Sequence, residues 1–441
     1  MLRRLSGPGT RRDGVEPRSE AVAPEGRRLS RRALLRGAAA AAGAALLGPL
    51  GPAPGCRSPR VAPGDADAAA PEETPAGGGR RRLPLFEVGG EPYAVGVAIG
   101  RRFAREFRTF FARRREWFDD LARFAENEGR PALDAMYDAA RRHLPEPVEE
   151  LRGLADGSGL PLRELQVLNA RSELEAARRT PLDRAGCSTI VAAGGDGLLL
   201  AHNEDGDTAN EGLMYLAQVR PRSGVGFLAV GYPGLVLGNA PAINDRGLAM
   251  VTNFIGTLAW RPGIPRYLLD RWALEARSID DALARVLHPE RAYAFHHVLA
   301  AMEPGRPRAL AVEATPARSQ VRELRGVYVH TNHLVLDPLR TEPQMEQSVA
   351  QSSRPRYETL TAALAGAADP GILEVEDLAT LLSSHVGRPY SPCRHPEGEV
   401  RGATLACAVF DIPRRRLRLY AGNPCRGDWA EYLAPEAEAF A

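Results

Sequence analysis

Apolar positions recur at two different periods along the chain, and the change of period divides it. Between Arg101 and Glu128 the residues Phe103, Phe107, Phe110, Phe111, Trp117, Phe118, Leu121 and Phe124 return at helical spacing, which predicts a helix whose apolar stripe faces a core. A short strand and turn over residues 83–98 precede it. Further helices are predicted over residues 131–143, 147–156 and 161–170, the last opening with Pro161 at a first-turn position. From Cys187 the texture becomes short β-rich runs broken by Gly and Pro: residues 188–193, 198–202, 213–219, 226–230, 235–238 and 248–254, the last entered by a turn over 242–247. Helices return at 264–277 and at 279–287, the second started by Ser278 with Asp280 and Asp281. Strands follow at 297–302, 308–313, 320–323 and 326–330, then helices at 354–365 and 375–384, then strands at 403–411 and 415–421. Helices, sheet, helices, sheet is the order of a layered α+β fold.

Composition narrows the chemistry. The formal charge is +2 over 441 residues, but residues 1–55 hold ten Arg against four acids, so the remainder is slightly acidic. No basic face for nucleic acid is expected on it. The sequence contains no lysine, which excludes Schiff-base and pyridoxal phosphate chemistry, a phosphate-loop Lys and a Ser-Lys dyad. No cofactor is expected.

The amino-terminal residues read as a targeting segment. Residues 1–28 have no hydrophobic period. Then S-R-R-A-L-L-R, from Ser30 to Arg36, precedes an Ala, Gly and Leu run over 37–50. Paired arginines before a short apolar stretch match a twin-arginine export signal, and the run is too short for a permanent membrane span. Gly55-Cys56 resembles a lipoprotein cleavage site, with Ala53 where Leu is usual. Either a lipid anchor on Cys56 or simple release follows. The organisation expected is a signal region over 1–56, a Pro-, Ala- and Gly-rich linker over 57–82, a helical segment over 83–186 and a β-rich segment over 187–441, placed in the periplasm or cell envelope.

The five cysteines, Cys56, Cys187, Cys393, Cys407 and Cys425, are too scattered for a disulfide scaffold or a zinc pair. One bridge, from Cys425 to Cys393 or to Cys407, is compatible with export. His330 and His333 have H-x-x-H spacing, which on a strand puts them on opposite faces with no evident acidic partner, so no metal is expected there. His296, His297 and His385 are expected to be structural, as is Cys393-Arg394-His395.

The stretch that organises the rest is R-A-G-C-S-T-I-V-A-A-G-G-D-G-L-L-L-A-H-N-E-D, Arg184 to Asp205. Gly-Asp-Gly between two apolar runs is a hairpin signal. A turn centred on Asp196 sets Cys187 opposite Asp205, with Asn203 on the same face and His202 on the other. A thiolate, not a thiol, is the nucleophile, so Cys187 needs a base. Cutting the bond between Gly186 and Cys187 would supply one, because a free α-amine has an unperturbed pKa near 8.

G-C-S-T followed by N-E-D resembles the acyl-coenzyme A:isopenicillin N acyltransferase family of N-terminal nucleophile hydrolases, related to penicillin V acylase and bile salt hydrolase. The resemblance extends over E-E-L-R-G-L-A-D-G-S-G-L from Glu149, L-N-A-R-S-E-L from Leu168, G-L-A-M-V-T-N-F from Gly247, H-T-N-H from His330, P-C-R-H-P from Pro392 and G-N-P-C from Gly422. It spans roughly residues 85 to 430 and implies a four-layer αββα sandwich with antiparallel sheets. It implies a precursor that cuts itself into an α chain ending at Gly186 and a β chain beginning at Cys187. By the same resemblance Cys187 is the nucleophile and its amine the base, Asp205 orients it and holds the amine, Asn332 donates to the oxyanion, Asn253 stands near the reacting carbonyl, and Arg394 or Arg401 contacts substrate. The implied reaction passes the acyl group of a small N-acyl compound through a thioester to water or to an acceptor amine, with acyl-coenzyme A as a further donor.

Two other readings stand beside it. One is a papain-like Cys-His hydrolase using Cys187 without cleavage. The other is a lipid-tethered binding protein that has lost catalysis.

Overall fold

The computed structural model describes residues 81–179, 186–365, 371, 373–398 and 400–436. The predicted export signal, the Cys56 site and nearly all of the linker lie outside these residues. Among the described residues, no helix is long and apolar enough to cross a membrane.

Two sheets lie face to face between two layers of helices. The first contains β1 (Leu85–Gly90), β4 (Tyr215–Pro221), β5 (Phe227–Gly231), β6 (Ala242–Asn244), β7 (Ala249–Phe254), β8 (Phe295–Met302), β9 (Pro307–Ala314) and β10 (Ser319–Glu323), hydrogen-bonded in that order. The second contains β2 (Ser188–Gly194), β3 (Gly197–Asp207), β11 (Gly326–His330), β12 (Gly402–Asp411), β13 (Arg416–Ala421) and β14 (Trp429–Leu433), in the order β11-β2-β3-β12-β13-β14. All pairs are antiparallel except β1 with β4, which is parallel. That edge pair departs from the all-antiparallel expectation.

The strands of the second sheet are apolar on both faces because both are covered. Val191, Leu198, Leu200, Ala408 and Phe410 join the core shared with the first sheet. Their neighbours Ile190, Ala192, Leu199, Ala201 and Val409 join a second core beneath the helices α10 (Arg354–Leu364) and α11 (Val375–Leu382). Leu360, Leu364, Leu378 and Leu382 form the helical side of that core. Each buried leucine is worth roughly 1.5–3 kcal/mol. The αββα layering implied by the resemblance is therefore present.

Over the other sheet lie α1 (Pro92–Arg102), α2 (Ala104–Arg113), α3 (Arg115–Glu126), α4 (Arg130–His143), α5 (Pro145–Ser158), α6 (Leu162–Asn169), α7 (Arg171–Ala177), α8 (Arg266–Ala273) and α9 (Ile279–Val286). The single helix expected from Arg101 is in fact three, with breaks at Phe103 and Arg114, where φ falls to −112° and −117°. Its stripe is nonetheless core: Phe103, Phe107, Phe110, Phe111, Phe118 and Leu121 are buried, and Phe103 stacks on Tyr215 of β4 with ring centroids 4.0 Å apart. The first helix begins at Pro92, inside the stretch read as strand and turn.

Helices α1 and α5 meet backbone to backbone. A Cβ on Gly96 would lie 2.1 Å from the carbonyl oxygen of Glu150, and one on Gly153 would lie 2.1 Å from that of Tyr93. A Cβ on Gly157 would lie 2.2 Å from Val97 O, and one on Gly100 2.5 Å from Leu154 O. Gly153 and Gly157 of the 149–160 motif therefore act by allowing close approach, and Gly159 ends the helix at φ +72°.

Other differences are local. Residues 235–238 form turns rather than a strand, and part of the stretch read as a turn, Ala242–Asn244, is the strand β6. The strand β14 was not expected.

Candidate active site

The β2–β3 hairpin pairs Ser188 with Asn203 and Gly194 with Gly197, closing on the two-residue turn Gly195-Asp196, with Gly195 at φ +56°. This loop is one residue tighter than a turn centred on Asp196, and a one-residue slip exchanges faces. The expected juxtaposition of Cys187 with the Asp205 carboxylate is corrected accordingly. The Cys187 sulfur lies with His202 and Glu204, their ligand atoms all within 4.8 Å of one another. Asp205 presents its backbone carbonyl oxygen to the sulfur, at 4.0 Å. Asn203 points the other way, donating to Leu382 O and Pro392 O at 2.8 Å each, so it does not share the face of Cys187.

Burial, with Glu204 and Asp205 adding to it, pushes the Cys187 thiol well above its ordinary range. In the uncut chain the sulfur is therefore held neutral. Both nitrogens of the nearby His202 are engaged, Nδ1 with Thr189 Oγ1 at 2.9 Å and Nε2 with Glu204 Oε2 at 3.2 Å. Glu204 also accepts from Tyr232 at 2.7 Å.

The Asp205 carboxylate faces the helical side. Its Oδ1 accepts from Thr404 Oγ1 at 2.7 Å, and its Oδ2 lies 3.8 Å from Arg394 Nε. Burial raises its pKa to about 6, although Arg394, Arg356 and Thr404 pull the other way. Oδ2 is buried and accepts no hydrogen bond among the described residues.

The backbone around Cys187 is clamped by a residue that motif reading missed. Arg356 of α10 donates through Nη1 to Cys187 O at 2.6 Å and to Ser188 Oγ at 2.9 Å. Through Nη2 it donates to Asn332 Oδ1 at 2.8 Å. Asn332 in turn donates through Nδ2 to Phe254 O at 2.9 Å. A Cβ at Gly186 would sit 2.2 Å from Asn332 Oδ1 and 2.3 Å from Arg356 Nη2, so a side chain before Cys187 would have to displace that pair. A π-helical turn, Val349–Ser353, leads into α10. It sets Ser353 Oγ on Asn332 N at 2.7 Å and Ser352 Oγ on Arg394 Nη2 at 2.6 Å. Such turns are frequent at functional sites, but no sequence period announces one.

Asn253 lies across the gap between the sheets. Its Oδ1 accepts from Thr189 Oγ1 at 2.8 Å and meets His296 Nδ1 at 2.9 Å. Its Nδ2 is buried with no acceptor among the described residues. His330 stacks on His296 with centroids 3.5 Å apart and pairs with Glu313 Oε1 at 2.9 Å. His330 thus has the acidic partner that the sequence did not reveal. His333 turns instead to Ser353 Oγ at 2.7 Å, and His297 pairs with Asp270 at 2.8 Å.

A cavity of about 200 Å³ opens at Cys187, lined by Glu204, Asp205, Tyr232 and Thr252 and walled by Phe110, Trp117 and Tyr267, with Arg114 and Arg178 beside them. Neither predicted substrate arginine lines it. Arg394 is buried behind Asp205, and Arg401 is exposed at the start of β12, its carbonyl oxygen accepting from Thr208 N.

The sequence model described as acyl-coenzyme A:6-aminopenicillanic acid acyl-transferase matches residues 192–426, just over half of the chain. The chain belongs to that family. The matched span holds Asp205, Asn253, Asn332, Arg356 and Arg394, and Cys187 lies just before it. Relatives of this family member include the beta-alanyl-dopamine/carcinine hydrolase of Drosophila melanogaster, 26% identical over 372 residues, which are 78% of this chain and 94% of that one. The acyl-coenzyme A:6-aminopenicillanic-acid-acyltransferase 40 kDa form of Emericella nidulans is 29% identical over 304 residues, 67% of this chain and 80% of that one. This acyltransferase-family chain also matches the solved penicillin V acylase of Agrobacterium tumefaciens, with 14% identity, a TM-score of 0.35 and coverage of 53% and 83%. A conjugated bile acid hydrolase of Clostridium perfringens gives 12%, 0.36, 58% and 99%. Superposition at that level is loose, and nothing rests on it. The chain is thus a member of an acyltransferase family, with a hydrolase among its relatives.

Proposed function

We propose that this family member is exported by the twin-arginine route as an inactive precursor, cuts itself between Gly186 and Cys187, and then uses the new amino-terminal cysteine on small N-acyl compounds. The observation that carries the reading is the clamped junction. Gly186 and Cys187 are buried against Arg356 and Asn332, at the wall of a cavity, and a side chain at 186 would displace both.

In the cut, the Cys187 sulfur attacks the Gly186 carbonyl carbon, and the sulfur's proton passes to the departing amide nitrogen, which becomes the α-amine of Cys187. Water then opens the thioester and leaves Gly186 as a carboxylate. The buried Asp205 Oδ2, which accepts no hydrogen bond among the described residues and has Arg394 Nε only at 3.8 Å, suits the ammonium form of that amine.

In turnover the amine takes the thiol proton, the sulfur adds to an amide carbonyl, and the leaving amine departs with the proton. Asn253 Nδ2 is a buried donor with no other acceptor among the described residues, and the second hydrogen of Asn332 Nδ2 is a further one for the oxyanion. Water then hydrolyses the thioester, or an acceptor amine takes the acyl group. The size of the cavity and its aromatic wall fit one small N-acylated amine or amino acid.

One observation favours a second reading, the uncut Cys-His hydrolase: His202 is close to the sulfur. Against it, both imidazole nitrogens are already hydrogen-bonded away from Sγ. Turnover of a panel of N-acyl amines and amino acids by processed protein, with Cys187→Ala as control, tests the proposal. Activity in a chain that stays whole would favour the second reading.

A further inference from the structure

Around the loop that carries Arg394, four side chains from three separated segments converge. His385 follows α11, Cys393 and His395 lie in the loop before β12, and Cys425 sits in the turn between β13 and β14. Their ligand atoms all lie within 4.8 Å of one another. His395 Nε2 is 3.2 Å from His385 Nε2, 3.3 Å from Cys425 Sγ and 3.6 Å from Cys393 Sγ.

We infer that His385, Cys393, His395 and Cys425 form a tetrahedral site for zinc, which fastens the loop carrying Arg394. Zinc bonds to nitrogen at 2.0–2.1 Å and to sulfur at about 2.3 Å. Tetrahedral angles then place ligand nitrogens about 3.3 Å apart, and nitrogen and sulfur about 3.6 Å apart. The His395–His385 and His395–Cys393 separations agree with these values to within about 0.1 Å, and His395–Cys425, at 3.3 Å, is about 0.3 Å short, a shift the exposed Cys425 side chain can make. Two thiolates and two imidazoles are a soft, closed set that selects zinc over hard cations and leaves no position for a substrate, as in structural sites. A second layer is in place: Asn423 Nδ2 donates to Cys393 Sγ at 3.4 Å and to Arg394 O at 2.6 Å.

The alternative, a disulfide between Cys393 and Cys425, gives no reason for two imidazoles to aim at the same point. The sequence spacing hid the site, because the ligands come together only when α11, the 393–395 loop and the β13–β14 turn pack around one corner. Arg394 lies between two ligands and is almost fully buried, reaching Ser352 Oγ and the neighbourhood of Asp205. Metal would therefore position Arg394 without touching substrate.

The test is metal analysis of the full chain, purified without chelator, together with cobalt substitution. One equivalent of zinc per chain is expected, and the cobalt form should show the strong visible bands of tetrahedral cobalt with thiolate ligands. Cys425→Ser and His385→Ala, both at exposed positions, should each lower zinc retention about tenfold or more. Zinc at background after reconstitution, cobalt spectra of an octahedral oxygen site, or a Cys393–Cys425 disulfide in the isolated protein would each overturn the inference. The wild-type cobalt spectrum decides the matter even if a variant fails to fold.

Discussion

The guanidinium of Arg356 donates through Nη1 to the carbonyl oxygen of Cys187 at 2.6 Å, and through Nη2 it holds the Asn332 amide that packs on Gly186. Burial and the neighbouring Arg394 lower its pKa to about 9, so the fold keeps a costly cation at this spot. Its place in the account is to hold the backbone on both sides of the predicted cut. Arg356→Met should slow formation of the two chains by about a hundredfold or more, the usual loss for one preorganised donor. A time course of intact masses measures it, and cutting at the normal rate would remove Arg356 from the mechanism.

Gly186→Ala tests the same clamp from the other side. The added methyl would meet Asn332 Oδ1 at 2.2 Å and Arg356 Nη2 at 2.3 Å, and both groups are tied at further atoms. Cutting should slow by at least about tenfold, as expected for a misplaced reacting bond. Secondary structure by circular dichroism should stay unchanged.

Asp205 predicts a pH dependence. Its folded pKa is about 6, above the ordinary carboxyl value of 3.8. The folded chain therefore holds a proton that the unfolded chain has already lost, and stability should fall as pH rises from about 4 to 6. The full penalty, on the order of 3 kcal/mol, applies above that window and is absent below it. The proposed cycle uses the Asp205 carboxylate, so in the uncut chain the rate of cutting should drop as pH falls through about 6. Asp205→Asn, which lacks the carboxylate at every pH, should cut slowly throughout and show no limb near 6. A rate that is flat from pH 5 to 7 in the wild type would contradict the assignment.

The α1–α5 contact gives a prediction about stability alone. Gly96→Val or Gly153→Val drives a side chain into a backbone carbonyl at about 2.1 Å, and the helices must separate. Overpacking of this kind costs about 1–3 kcal/mol, read as a lowered midpoint of urea unfolding. An unchanged midpoint would mean the helices part without loss.

Much of this was legible in advance, for physical reasons that differ from element to element. The aromatic stripe from Phe103 to Phe124 announced a helical core face, because burial imposes its period whether the helix is continuous or broken. The breaks at Phe103 and Arg114 carry no Gly or Pro and left no mark. The hairpin was visible in Gly194-Gly195-Asp196-Gly197, yet its register was not, since these residues allow more than one turn length. That one-residue difference moved Cys187 from the Asp205 face to the Glu204 face. Arg356 and Thr404 were invisible because their partners lie 169 and 199 positions away, and isolated residues carry no spacing signal. The His385, Cys393, His395 and Cys425 group was passed over for the same reason.

Chain composition at the cysteine is what the whole account depends on. Amino-terminal sequencing of the active protein, paired with its intact mass, is the most direct measurement. Two chains, with the second beginning Cys187-Ser188-Thr189, are predicted, together with a single inactive chain for Cys187→Ala. Full activity in a protein whose Gly186–Cys187 bond is intact would contradict it.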